Sequence, residues 1–91
     1  MDLNARLQQL LTQMGADLVG FADVSGLAPD GYQKAVVAAI ALPLEIIDEI
    51  PIGPTPEYLQ TYQEYNRRLE EMSRAAAALL SEQGHRSLAL C

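Results

Sequence analysis

One stretch constrains this chain more than any other. Between Pro54 and Gly84 the residues follow a pattern that a single long helix satisfies. Thr55 suits an N-cap, Pro56 suits the first helical position, and Glu57 faces the positive end of the helix dipole. Gly84 is a fitting stop just beyond the last turn. Between these ends Tyr58, Tyr62, Tyr65, Leu69, Met72, Ala76 and Leu79 recur at alternating spacings of four and three. That is a packing stripe, and three of the chain's four tyrosines lie on it.

The remaining elements are shorter. Leu3, Leu7, Leu10, Leu11 and Met14 form one apolar face and predict a first helix that ends at Gly15. Asp17 to Asp23 is short, apolar and bounded by acids, and reads as a strand; Gly20 within it suggests a close backbone approach. Gly26, Pro29, Asp30 and Gly31 mark a loop from Ser25 to Gln33. Ala35 to Leu42 is an unbroken apolar run ending at Pro43, which predicts a strand buried on both faces. Leu44 to Ile50 has helical character and stops at Pro51; His85 to Leu90 reads as a last short strand.

The expected order is therefore α-β-β-α-α-β. It implies an α/β fold with a small sheet of about three strands, mixed or parallel, carrying an N-terminal helix and one long helix. The second strand, the long helix and the last strand would form a right-handed parallel crossover. Val19, Phe21, Val36, Val37, Ala39, Ile40, Leu79 and Leu88 are the expected core, and Val37→Asp should then unfold the protein. A helix of about 28 residues runs ~42 Å, whereas a strand of about eight spans ~26 Å. The helix should overhang the sheet by roughly 15 Å at its tyrosine-bearing N-terminal half.

Composition narrows the function. With 91 residues the chain is a single small domain, 1–91. A net charge of −6 argues against nucleic acid, because phosphate binding needs clustered Lys and Arg, and the pair Arg67-Arg68 is surrounded by Glu64, Glu70 and Glu71. No apolar run approaches the ~20 residues of a bilayer span, and the N-terminus lacks the pattern of a signal peptide. The expected location is the cytoplasm.

No residue set reads as catalytic, cofactor-binding or metal-binding. His85 is the single histidine and follows the helix stop, where a histidine commonly just faces the C-terminal dipole. Cys91 is the single cysteine, too far along a strand from His85 for the two to cooperate. Glu45, Asp48 and Glu49 read as the solvated face of the short helix. Gly15, Gly20, Gly26 and Gly31 do not form a phosphate loop. Glu64–Arg68, Glu70–Arg74 and Glu71–Arg74 are helix-surface ion pairs. Tyr58, Tyr62, Tyr65 and Leu69 are the candidate interface: either a local core, covered for example by Ile46 to Ile50, or a partner-binding or dimer face.

The segments in order resemble the N-terminal region of iron–sulfur proteins related to epoxyqueuosine reductase. The resemblance lies in Gly15-Ala-Asp-Leu-Val-Gly-Phe-Ala-Asp23, Gly31-Tyr32 before a strand ending Leu42-Pro43, and Leu44-Glu-Ile-Ile-Asp-Glu-Ile50. It continues through Pro54-Thr-Pro-Glu-Tyr58 and Tyr62-Gln-Glu-Tyr-Asn-Arg-Arg-Leu69 to the short run Gly84 to Leu90. These are packing and turn motifs. In that family the cysteine clusters that hold two four-iron centres follow this segment, and the reductases also bind a corrinoid. No residue here matches a cluster ligand, and Cys91 alone cannot hold a cluster. The resemblance implies a non-catalytic structural or interaction module, with no cofactor of its own, that docks on a second polypeptide or forms a homodimer. Two alternatives stand beside it. One is a partial redox enzyme that completes a corrinoid or iron–sulfur site with another polypeptide. The other is a stand-alone interaction dimer.

Overall fold

The computed structural model of the chain describes residues 2–28, 31–42 and 56–90. The described elements are α1 (Leu3–Gln13), β1 (Leu18–Asp23), β2 (Lys34–Ala39) and α2 (Pro56–Glu82), in the order α-β-β-α. The expected short helix Leu44 to Ile50, the Thr55 cap and Cys91 lie outside the described residues.

Local chemistry accounts for the helix ends. Asp2 caps α1 by accepting a hydrogen bond from the Ala5 amide at 2.7 Å. At its other end Gly15 takes a φ of 108°, and the Ala16 amide reaches back to the Leu11 carbonyl at 3.0 Å. Gly84 repeats the device for α2 with a φ of 84°, the His85 amide donating to the Leu80 carbonyl at 2.9 Å. Both are Schellman-type stops, as the two glycines suggest.

β1 and β2 pair antiparallel, from Leu18 opposite Ala39 to Asp23 opposite Lys34. They form a two-stranded sheet, which replaces the expected three-stranded mixed or parallel sheet and the order α-β-β-α-α-β. Two physical facts explain the difference. The link between the strands is a short turn-rich loop, which can only bring the chain back alongside in the opposite direction. And residues 85–90 form no ladder: they return along α2, where Ser87 Oγ donates to the Ala77 carbonyl at 3.2 Å and Ser73 Oγ donates to the Leu90 carbonyl at 3.0 Å. The expected parallel crossover is therefore not formed. Arg86 lies over the Tyr32 ring at 4.6 Å, holding the start of this segment beside the entry to β2.

The core sits where α1 crosses the C-terminal half of α2. Leu7, Leu11, Ala16, Met72 and Ala76 are buried, and Leu69, Leu79, Leu80, Val19, Val36, Ala38 and Ile40 pack around them. Alternation along the strands aims Val19, Val36 and Ala38 inward and turns Leu18 and Val37 outward, 72% and 57% exposed. The expected double-sided burial of the second strand is thus corrected: one face is covered and the other is open. Phe21, Val37, Ala39 and Leu88, expected in the core, are exposed. Val37→Asp is accordingly expected to leave the protein folded.

Candidate functional site

α2 is longer than the body it packs on. Its contribution to the core begins at Leu69, and the end of α1 is reached at Arg68, whose guanidinium lies against Gly15 and over the Tyr65 ring at 5.1 Å. Pro56 to Arg67 precede that point, some twelve residues or about 18 Å of helix. None of Pro56 to Arg67 is among the residues that pack on the described core, and the tyrosine row lies in that stretch.

In that stretch Tyr58 and Tyr62 stack with ring centroids 6.3 Å apart and planes inclined by 27°. Tyr62 is 51% exposed and Leu59 is 50% exposed. Tyr58, Tyr65 and Leu69 are half-buried. The four candidate interface residues therefore form one continuous stripe that runs from the core at Leu69 toward the N-terminus of α2.

The other candidates do not converge. His85 is exposed, and the acids Glu45, Asp48 and Glu49 lie outside the described residues. Among the described residues no three His, Cys, Asp or Glu side chains group to hold a metal ion. One surface hollow, about 330 Å³, lies on the outer face of α1, lined by Ala5, Gln8, Gln9, Thr12 and Gln13. It presents no ionisable side chain. A smaller one, about 180 Å³, separates α2 from the returning C-terminal segment at Glu70, Ser73, Arg74, Ala89 and Leu90. Of the expected ion pairs, Arg74 meets Glu70 at 2.6 Å, whereas Arg68 turns to the Tyr65 ring.

Three positions carry structure that the sequence reading missed. Asp17 accepts from the Ala41 amide at 2.7 Å while its own amide donates to the Ala39 carbonyl at 2.9 Å, which ties down the end of β2. The acid bounding the first strand was the available signal. Arg68 closes the gap between α1 and α2. Asp23 accepts from the Ser25 hydroxyl at 2.6 Å and the Ser25 amide at 2.9 Å, and Lys34 lies 3.4 Å away across the sheet. An Asp followed two residues later by Ser is the signature of such a turn.

These contacts favour the charged carboxylate of Asp23, the Ser25 hydroxyl most, then the Ser25 amide, then Lys34, and lower its pKa from 3.8 to about 2. A lowered folded-state pKa adds stability above the unfolded value, and that stability is lost as pH falls through the folded one. The Ser25 amide resonance is therefore expected to titrate with a midpoint near 2. A midpoint at the ordinary 3.8 would show that the turn does not hold the carboxylate.

No helix among the described residues is long and apolar enough to cross a membrane. Comparison of the chain with protein-family models, with characterised proteins and with solved structures finds no match.

Proposed function

We propose that this chain is a cytoplasmic, non-catalytic docking module, resembling the N-terminal region of epoxyqueuosine-reductase-like iron–sulfur proteins, and that it binds another polypeptide through the tyrosine stripe of α2. The observation that carries the reading is the exposure of Tyr62 and Leu59 on the stretch of α2 that precedes its contribution to the core. Tyrosine suits such a place, because its ring excludes water while its hydroxyl tolerates it. An aromatic surface left half-open on a small domain is the usual mark of an interaction site.

The dimensions agree. The radius of gyration is 15.4 Å, against ~12 Å for a compact domain of this length. The accessible surface is 6620 Å², against roughly 5,200 Å² for a compact monomer of this size.

A corrinoid titration separates this reading from a shared redox site. Purified protein is expected to be colourless, to contain no stoichiometric iron, and to leave the visible spectrum of an added corrinoid unchanged. A saturable spectral shift, or stoichiometric iron in anaerobically prepared protein, would overturn the non-catalytic reading.

A further inference from the structure

We draw no further inference here: the strongest candidate, the open face of the β1–β2 sheet that bears Leu18 and Val37, is an apolar surface patch, and nothing in the structure shows what covers it.

Discussion

Met72→Asp is expected to abolish folding. Met72 is 1% exposed at the point where α2 meets α1, and with Leu11 it is one of the two largest fully buried side chains. Replacing it removes a buried apolar side chain, a loss of roughly 2–5 kcal/mol, and takes a carboxylate out of water into the core. A domain of this length has a total stability of about 5–14 kcal/mol. With five residues buried in the core among those described, this one belongs near the lower end. Circular dichroism should show loss of most helical signal in Met72→Asp at 25 °C. Val37→Asp is the matched control, with the same charge on the open face of β2, and should cost no more than about 1 kcal/mol. A cooperative unfolding transition in Met72→Asp, close to that of the wild type, would place the core elsewhere.

The contrast between Met72 and Val37 also shows what the sequence could disclose. Both helices were legible, because a period of four and three over many residues admits no other structure, and Gly15 and Gly84 marked their ends. The positions of both strands were legible too. Their partners were not. An apolar run such as Ala35 to Leu42 looks identical whether one face or two are covered, since alternation disappears when small residues occupy the outer face. Ala35, Ala39 and Gly20 do so here, and only Leu18 and Val37 declare the open side. Leu88 and Leu90 misled for a related reason. Their alternation fits a strand, but hydrogen bonds from Ser73 and Ser87, on a helix and on the segment itself, decide where residues 85–90 lie. At the candidate site the aromatic stripe followed from the four–three spacing of its residues. The place where α2 joins the core did not, because it depends on Arg68 meeting Gly15 across a gap of more than fifty residues in sequence.

That meeting yields the second prediction of large effect. Gly15→Ala is expected to destabilise the protein by about 1–3 kcal/mol, since a φ of 108° lies outside the conformations that L side chains adopt readily. A methyl group there would also come within 2.6 Å of the Arg68 guanidinium. Arg68 is flexible and would swing aside, so the collision itself costs little, but the swing removes it from the Tyr65 ring, a contact of about 0.5–1 kcal/mol at an exposed site. Gly26→Ala separates the two effects. Gly26 has a φ of 79° with open space around it, so its substitution carries backbone strain alone, roughly 1–2 kcal/mol. Urea unfolding of Gly15→Ala, Arg68→Ala and the double variant completes a cycle. If Arg68 is the latch that closes the end of the core, Gly15→Ala should cost less in the Arg68→Ala background, by about the energy of the lost ring contact. Strict additivity would mean that Gly15 is required only as a helix stop. The core would then end at Leu69 by the spacing of its apolar side chains, with no contribution from the guanidinium.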